Sequence, residues 1–250
     1  MGIKEREKKY GLVGKNIGYS FSRHYFSSKF EKEGLSDCSY INFDLPKIQA
    51  FEKILSKKPY PAGLNVTIPY KKNIMPFLDK ISEEAKSIGA VNTIVWDING
   101  KTTGHNTDHI GFHKSLLEHL DQNPRHALIL GSGGASSAVK HVLNQLNCKF
   151  TIISRSPINN QLHYDELNKK IMGEIDLIVN TTPLGTFPNI EEDPPIPYEF
   201  ITNQHFIFDL IYNPEETSLM KKGKVKGARV TNGYKMLMYQ AEKAWDLWNQ

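Results

Sequence analysis

The sequence predicts an α/β protein with two domains, each built on a sheet whose strands alternate with helices. Short apolar runs read as strands, for example residues 10–14 (YGLVG) and 63–68 (GLNVTI), and longer amphipathic stretches between such runs read as helices. This alternation is typical of parallel sheets that helices cover on both faces. It occurs in two blocks that meet near residues 104–111, so each block is predicted to form one domain.

The other elements of the first block follow in order along the chain. Phe26 and Phe30 lie four residues apart, as on one face of a helix, within residues 23–32. Strands are further predicted at residues 39–45 and 90–96, and helices at residues 48–55 and from Ser82 onward. Residues 97–100 predict a hairpin turn, because Asn-Gly tolerates a positive φ.

The second block repeats the pattern. Strands are predicted at residues 128–130, 150–153, 176–180 and 206–210, and helices at residues 110–120, 138–146 and 217–222. Five prolines within residues 183–197 predict an irregular surface loop.

Composition excludes several classes of protein. The chain has 250 residues, of which 39% are hydrophobic, enough to bury a core in one domain or two. A net charge of +4 without a clustered basic patch does not indicate a nucleic-acid partner. Cys38 and Cys148 are far apart, so neither a disulfide framework nor a thiolate metal site is expected. The charged first nine residues and the lack of a long apolar run predict a cytoplasmic protein with no membrane partner.

A glycine-rich turn follows the first predicted strand of the second block and precedes a helix. Its residues are Gly131, Ser132, Gly133, Gly134 and Ala135, with Ser136 where Gly or Ala is usual. Such a turn lets the backbone approach a pyrophosphate, which the N–H groups and dipole of the new helix attract. The second domain is therefore predicted to be a Rossmann-type dinucleotide-binding domain. A plain strand-to-helix turn is the alternative.

The end of the next strand indicates which dinucleotide binds. Ser154 and Arg155 follow the strand at residues 150–153, where an NAD site normally has Asp or Glu. A guanidinium pairs with a 2′-phosphate through a bidentate fork, whereas a carboxylate repels it. NADP is therefore predicted rather than NAD, with a solvated surface arginine as the alternative interpretation of Arg155.

Three polar motifs of the first block resemble one family. Residues 65–71 (NVTIPYK), 89–93 (GAVNT) and 104–108 (GHNTD) match the strings N-V-T-x-P-x-K, G-A-V-N-T and G-x-N-T-D of the shikimate dehydrogenases. The resemblance extends from about residue 10 to the last helix. Further segments are similar to the family's S-x-S, N-x-T-x-x-G, D-x-x-Y-x-P-x-x-T and G-x-x-M-L-x-x-Q-A motifs, at residues 20–22, 180–185, 209–217 and 233–241.

The resemblance implies an NADP-dependent enzyme that reversibly reduces 3-dehydroshikimate to shikimate, in the pathway to chorismate and the aromatic amino acids. It implies that Lys71 and Asp108 are catalytic. The implied substrate-binding residues are Ser20, Ser22, Asn65, Thr67, Asn92, Tyr212 and Gln240. The implied cofactor-binding residues are Gly131, Ser132, Gly133, Gly134, Ala135, Ser154, Arg155, Thr181, Thr182, Leu210 and Gly233.

The resemblance also implies how the domains divide. Residues 1–107 with 236–250 would form the substrate-binding catalytic domain, to which the last helix returns, and residues 108–235 the NADP-binding domain. The assembly is expected to be a monomer or a homodimer.

The residue types suit this chemistry. Oxidation of a ring alcohol needs a hydride acceptor and a group that takes the hydroxyl proton. Lys71 can carry that proton and Asp108 can orient the shared hydroxyl, and because the ammonium can stabilise the oxyanion no metal is needed. Four departures from the family pattern remove no reacting group: Tyr19 in place of a frequent His, Arg23 in place of Pro, Thr186 in place of Met, and Lys235 at a position that is usually apolar or small.

Other interpretations stay open. A quinate/shikimate dehydrogenase with relaxed substrate and cofactor choice is one, and a non-catalytic shikimate-binding regulator is another, although the latter is expected to lose Lys71 or Asp108. Asp108 could also cap the helix that follows it. His105, His109 and His113 are spaced like metal ligands, but Gly104 and Asn106 indicate that the helix begins only near Asp108, which takes His105 off the shared face.

Overall fold

The structure, a computed structural model, describes residues 7–18 and 20–250. Residues 1–6 and Tyr19 lie outside the described residues, and with them the start of the charged N-terminal segment and the departure from the family pattern at position 19. Contacts divide the chain into two compact units. The first holds the described residues up to Thr107 together with Ala241–Gln250, and the second is Asp108–Gln240.

The first unit is a mixed sheet with helices. Its strands are β1 (Lys8–Gly14), β2 (Cys38–Asp44), β3 (Gly63–Val66), β4 (Lys80–Ile81), β5 (Thr93–Trp96) and β6 (Thr102–His105), in the order β2-β1-β3-β5-β6-β4. Its helices are α1 (Phe21–Lys32), α2 (Glu52–Ser56) and α3 (Glu83–Ile88), with 3₁₀ turns at Ile48–Phe51 and Met75–Phe77.

The parallel pairing that the alternation of strands and helices predicts does not hold at one strand of this unit. Strand β5 runs antiparallel to both β3 and β6, whereas the other pairings are parallel. The reason is local, since the predicted hairpin turn joins β5 to β6. Gly100 adopts φ +79° there, and its N–H donates to the Asp97 carbonyl at 3.0 Å.

The central strands of this sheet are buried on both faces. Leu12 and Val13 of β1 and Leu64 and Val66 of β3 are all buried. One of the two clusters of buried side chains contains Phe51, Ile74 and Ile94. The other cluster contains the aromatic side chains of α1 and of the C-terminal residues. Burial on both faces explains why these strands read as continuous apolar runs.

The second unit is an all-parallel sheet in the order β11-β10-β9-β7-β8. Its strands are β7 (His126–Leu130), β8 (Lys149–Ile153), β9 (Leu177–Asn180), β10 (Phe206–Asp209) and β11 (Arg229–Thr231). Its helices are α4 (Asp108–Leu117), α5 (Gly134–Gln145), α6 (Lys169–Gly173), α7 (Ser218–Val225) and the beginning of α8 (Tyr234–Trp248), with 3₁₀ turns at Tyr164–Glu166 and Tyr198–Phe200. The predicted α/β fold class is confirmed. Among the described residues, no helix combines the length and the apolar character that crossing a membrane requires.

The final residues of α8 pack in the first unit, as predicted for the C-terminal helix. Ala241 and Ala244 are buried with α1 and β1, and the Trp248 indole covers Gly63, where a Cβ would collide with the ring. The indole N–H of Trp248 also donates to the Ile94 carbonyl at 3.1 Å. The helix is thereby fixed to β3 and β5.

An ion pair fastens α8 to α1. The Lys29 ammonium lies 2.8 Å from Glu242 on α8 and 2.7 Å from Glu33, the C-cap residue of α1, and the Tyr25 hydroxyl donates to Glu242 as well. Burial would raise the pKa of Glu242, but hydrogen bonds from Lys29 and Tyr25 outweigh it and the pKa is lowered. A carboxylate with a lowered pKa stabilises the fold above its unfolded-state pKa, and that contribution is lost as pH falls through the folded pKa.

Replacing Glu242 tests how much its ion pair with Lys29 stabilises the fold. Glu242→Gln is expected to lower the free energy of unfolding by about 1 kcal/mol at neutral pH, because the largely buried Lys29 loses a charged partner. The deficit should shrink as the pH falls through the lowered pKa of Glu242, because the wild-type carboxylate then becomes protonated as well. Denaturant melts at several pH values measure both effects. Glu83→Gln, which removes an exposed helical ion pair with Lys86, is the control and should change little. A deficit that does not vary with pH would contradict the electrostatic explanation.

Candidate active site

Polar side chains gather at the end of β3 in the first unit. Asn65 is 4% exposed, and both atoms of its amide bond to protein. Its Oδ1 accepts from the Tyr40 hydroxyl at 2.8 Å, while its Nδ2 donates to the Asn92 carbonyl and to Thr93 Oγ1, each at 3.3 Å. Asn65 therefore supports the pocket by tying together β2, β3 and β5.

Asn92 holds the segment that leads into α4. Its Oδ1 accepts from the Thr107 N–H at 2.6 Å, and its Nδ2 donates to Thr107 Oγ1 at 3.0 Å. Thr107 immediately precedes Asp108, which is buried and is the first residue of α4. Asp108 therefore lies within the first helical turn, not before it.

Lys71 follows β3 after a short turn and is half-buried. Its backbone carbonyl accepts from the Val91 N–H at 2.7 Å, so the Lys71 backbone is held by the residue next to Asn92. Thr67, also half-buried, donates its N–H to the Val13 carbonyl of β1 at 2.8 Å. Because side chains alternate along an extended chain, Thr67 and Asn65 point to the same side, as predicted.

Ser20 and Ser22, which the resemblance implies are substrate-binding residues, lie at the beginning of α1. Ser20 is the N-cap residue, and its Oγ accepts from the Ser22 N–H at 3.3 Å. Both serines are half-buried. Turn formation and ligand binding are therefore compatible roles for them. Tyr40 of β2, whose hydroxyl donates to Asn65, is not predicted as a site residue, because a tyrosine inside a strand is typical of an ordinary core residue.

In the second unit the glycine-rich turn lies where the strand order reverses. Chain order runs from β7 outward to β8 and then back across to β9, on the other side of β7. In such sheets, ligands bind beyond the carboxyl ends of the strands at that reversal. The turn after β7 and the loop after β9 meet there, because Thr181 Oγ1 donates to the Leu130 carbonyl at 2.7 Å.

The glycines of this turn serve different purposes. Gly131 adopts φ +104°, and a Cβ there would lie 2.8 Å from Thr181 Oγ1, so neither the backbone nor the space suits another residue. Gly133 is exposed, has an ordinary extended conformation at the N-cap of α5, and has no atom within 4 Å of the position of an added Cβ. The free volume at Gly133 lies beside the first N–H groups of a 12-residue helix, which is the environment that a pyrophosphate needs.

Ser136 occupies the position at which this turn usually has Gly or Ala. It is 1% exposed, and among the described residues its hydroxyl has no hydrogen-bond partner. The packing of α5 on the sheet thus admits a serine, although its hydroxyl contributes nothing to that packing.

The residues after β8 form an open turn. The Ser154 hydroxyl accepts from the Ser156 N–H at 3.2 Å, which orders the backbone on both sides of Arg155. Arg155 is exposed, and within residues 7–18 and 20–250 no carboxylate lies at ion-pair distance from it. Its guanidinium is therefore available to an anionic ligand.

A buried carboxylate organises the loops after β9 and β10. Asp209 is fully buried and accepts from Thr217 Oγ1 at 2.7 Å, Asn180 Nδ2 at 3.0 Å and the Ile211 N–H at 3.1 Å. Burial raises the pKa of Asp209 to about 6, although the three donors partly oppose the shift. Asn180 Oδ1 in turn accepts from the Thr182 N–H at 3.0 Å and from its hydroxyl at 2.7 Å. Asp209 was not among the predicted site residues, although its motif was noted.

The remaining predicted residues of the second unit lie in or near these loops. Tyr212 is half-buried, three residues after the end of β10. Gly233 donates its N–H to the Ile211 carbonyl at 2.9 Å and lies so close to Leu210 that no Cβ would fit. Gln240 on α8 is 8% exposed and donates to the Leu237 carbonyl at 2.9 Å.

The histidines do not share a face. His105 ends β6, whereas His109 and His113 lie on α4. The His109 ring instead contacts His141 of α5, with ring centres 5.4 Å apart. In the part of the chain that the structure describes, no group of three or more His, Cys, Asp or Glu side chains could hold a metal ion.

Comparisons with known proteins identify the family of this chain. A family model for the shikimate dehydrogenase substrate-binding domain matches residues 12–94. A shikimate dehydrogenase (NADP(+)) of Desulforamulus reducens is 36% identical, over 95% of this chain and 88% of its own length. The crystal structure of shikimate dehydrogenase from Aquifex aeolicus superposes with a TM-score of 0.84 at 32% identity, covering 100% of this chain and 94% of that one. Shikimate 5-dehydrogenase from Thermus thermophilus in complex with NADP(H) and shikimate has a TM-score of 0.83 at 28% identity, covering 96% and 93% of the two chains. This chain belongs to the shikimate dehydrogenase family.

Proposed function

We propose that this chain catalyses the reversible, NADP-dependent reduction of 3-dehydroshikimate to shikimate, with Lys71 and Asp108 handling the proton. Membership of the family makes the chain an oxidoreductase of the shikimate pathway. The observation that supports the roles of Lys71 and Asp108 is that hydrogen bonds connect the three polar motifs. Val91 bonds to the Lys71 backbone and Asn92 bonds to Thr107, so a single segment supports both the lysine and the residue before Asp108.

Lys71 acts as the proton carrier in this proposal. Its ammonium donates a proton to the developing alkoxide during ketone reduction and recovers it during alcohol oxidation. Asp108 accepts a hydrogen bond from the same hydroxyl and orients it. A half-buried ammonium strengthens the interaction with a developing negative charge, because water competes less there than at the surface.

Ser20, Ser22, Thr67, Tyr212 and Gln240 bind the substrate. The two serines lie at the N-terminus of α1, where hydroxyl donors and the helix dipole suit a carboxylate. Asn65 and Asn92 contribute chiefly by orienting the others, because their amides already bond to protein.

NADP fits the second unit. Gly133 leaves open space beside the α5 N-terminus for the pyrophosphate, and Arg155 suits a 2′-phosphate. When bound, the cofactor supplies or accepts the hydride. Ser154 shapes the turn that carries Arg155, whereas Thr181, Thr182, Leu210 and Gly233 shape the loops after β9 and β10, where the nicotinamide is proposed to lie.

We propose that the two units divide these roles, the first binding substrate and the second binding NADP. The proposed boundary at residues 235–236 and the change of unit after Gln240 both fall within α8. A cytoplasmic location is proposed as well, since Cys38 and Cys148 are both free thiols.

One assay tests the activity directly. Purified protein is mixed with shikimate or quinate and with NADP or NAD, and the absorbance of the reduced nicotinamide is followed. Turnover with shikimate and NADP is expected to be the fastest of the four combinations. Comparable rates with quinate or NAD would favour the relaxed enzyme, and tight shikimate binding without turnover would favour the regulator.

Removing the proposed proton carrier tests its role. Lys71→Ala is expected to lower kcat by about 10²–10⁴-fold, while substrate binding stays within about tenfold, because the ammonium is needed chiefly in the transition state. Steady-state kinetics and calorimetric binding of shikimate measure the two effects. Lys72→Ala, which removes an exposed neighbouring charge, should keep the wild-type kcat. A Lys71→Ala enzyme with nearly normal kcat would show that the proton comes from another group.

Reversing the charge after β8 tests cofactor choice. Arg155→Asp is expected to raise the KM for NADP and shift the preference toward NAD, since a carboxylate repels the 2′-phosphate and can bind a ribose 2′-hydroxyl. Lys149→Asp, at the opposite end of the same strand, is the matched control. An unchanged ratio of kcat/KM for the two cofactors would reject the role of Arg155.

The open space at Gly133 gives a test that is separate from folding. Gly133→Ala is expected to leave the melting temperature of the protein alone within error, because the new methyl group meets no atom within 4 Å. NADP should nevertheless bind more weakly, because the methyl group occupies space that the pyrophosphate needs. Melting temperatures measured without and with NADP report the stability of the variant and its binding of NADP, respectively. Gly173→Ala, another glycine with open space around it, controls for the substitution itself.

A further inference from the structure

Gly111 lies within α4, on the face that packs against α8. Glycine weakens the interior of a helix relative to alanine, so its presence there needs a physical reason. A Cβ at Gly111 would collide with the Met236 carbonyl oxygen of α8, and it would lie 3.0 Å from Gln240 Cβ and 3.1 Å from Gln240 N. The backbones of the two helices are therefore in direct contact at this glycine.

The side chain of Gln240 is held by α8 itself. It is buried, and its Nε2 donates to the Leu237 carbonyl, one turn back along the same helix, at 2.9 Å. The amide of Gln240 thus follows the backbone of α8. How closely α8 approaches α4 therefore determines where this amide lies.

Asp108 lies on the same face of α4 as Gly111. The two residues are three positions apart in the helix, and side chains at that spacing are neighbours on its surface. Asp108 is buried, and the Asn92 side chain holds Thr107 immediately before it. The contact at Gly111 thus brings the turn of α8 that carries Gln240 against the turn of α4 that begins with Asp108.

We propose that Gly111 is a positioning residue for substrate binding, because it lets the Gln240 amide lie close to the Asp108 carboxylate. The inference rests on the proposed function, in which Asp108 and Gln240 both contact the substrate. The polar groups of a substrate ring have fixed separations, so two side chains that bind one ring must be spaced to match them. A side chain at position 111 would push α8 away from α4 and break that match.

Gly111→Ala tests the spacing with one added methyl group. The KM for shikimate is expected to rise roughly three- to tenfold, the range that the loss of one hydrogen bond accounts for. The KM for NADP should stay within about twofold of wild type, which shows that the variant is folded. Gly223→Ala is the matched control, because Gly223 is a buried glycine of α7 whose added Cβ would collide with Ile207. It should lower the melting temperature, as Gly111→Ala does, and leave the KM for shikimate as in wild type.

A double variant distinguishes positioning from a general loss of stability. Gln240→Ala is expected to raise the KM for shikimate, and it keeps the Cβ that the added methyl group at position 111 meets. If Gly111 acts through the Gln240 amide, adding Gly111→Ala to Gln240→Ala should raise the KM by clearly less than Gly111→Ala does alone. Fully multiplicative effects would overturn the proposal.

Gln240→Asn tests the position of the amide while Gly111 stays unchanged. The variant retains the amide but shortens the side chain by one methylene group, which withdraws the amide toward α8. The KM for shikimate should rise, as it does for Gly111→Ala. An unchanged KM would overturn the proposal even where Gly111→Ala does not fold, because the position of the amide would then not matter.

Failure of this inference is distinguishable from failure of the proposed function. A wild-type enzyme that oxidises shikimate, with a Gly111→Ala variant of lower melting temperature and unchanged KM for shikimate, overturns the role of Gly111 alone. A wild-type protein that neither turns over nor binds shikimate in a calorimetric titration overturns both proposals.

Discussion

The pair of hydrogen bonds between the Asn92 side chain and Thr107 is the constraint on which the substrate-binding unit depends. Four buried polar side chains, Asn65, Asn92, Thr93 and Thr107, meet where β3, β5 and the segment before α4 come together. A buried amide without partners costs free energy, so these groups must face one another in a single register. The requirement that stabilises the core thus also holds Thr107, the residue before Asp108, and fixes Asn92 next to Val91, whose N–H bonds to the Lys71 carbonyl.

In the second unit, buried polar groups likewise bond to one another at the carboxyl ends of the strands. The Leu130 carbonyl of β7 accepts from both the N–H and the hydroxyl of Thr181, at 2.9 and 2.7 Å, and Asp209 is bonded by three donors. These groups extend beyond the strands into loops that would otherwise be loosely held. Loop positions near the proposed nicotinamide site therefore derive their rigidity from the sheet beneath them, which is what precise placement of a reacting ring requires.

The sequence predicts features that depend on a few neighbouring residues. It predicts fewer of the features that depend on residues far apart in the chain. The glycine-rich turn, the strand before it and the α5 helix after it were predicted, because periodicity and glycine conformation act over a few residues. The antiparallel β5 was not, since pairing direction depends on segments far apart, although the turn at residues 97–100 carried the signal. The two-residue β4 and the three-residue β11 are too short to show periodicity. Tyr40 and Asp209 were missed for another reason: their importance lies in the partners that folding brings to them, Asn65 for the first and Asn180 and Thr217 for the second.

The distribution of satisfied and available polar groups bears on substrate selectivity. Asn65 and Asn92 bond to protein through both atoms of their amides, so an analogue that lacks a hydroxyl would leave few new unpaired groups on them. Discrimination by loss of a hydrogen bond requires groups whose bonds form only with the ligand. In the proposed function, Ser20 and Thr67, which are half-buried in the first unit, form such bonds with the substrate. In the proposed function, the buried asparagines hold the backbone around the site, whereas half-buried side chains contact the hydroxyl and carboxylate groups of the substrate. Substitution of Thr67 should therefore change the selectivity among ring alcohols, although Thr67 lies outside the network of buried asparagines.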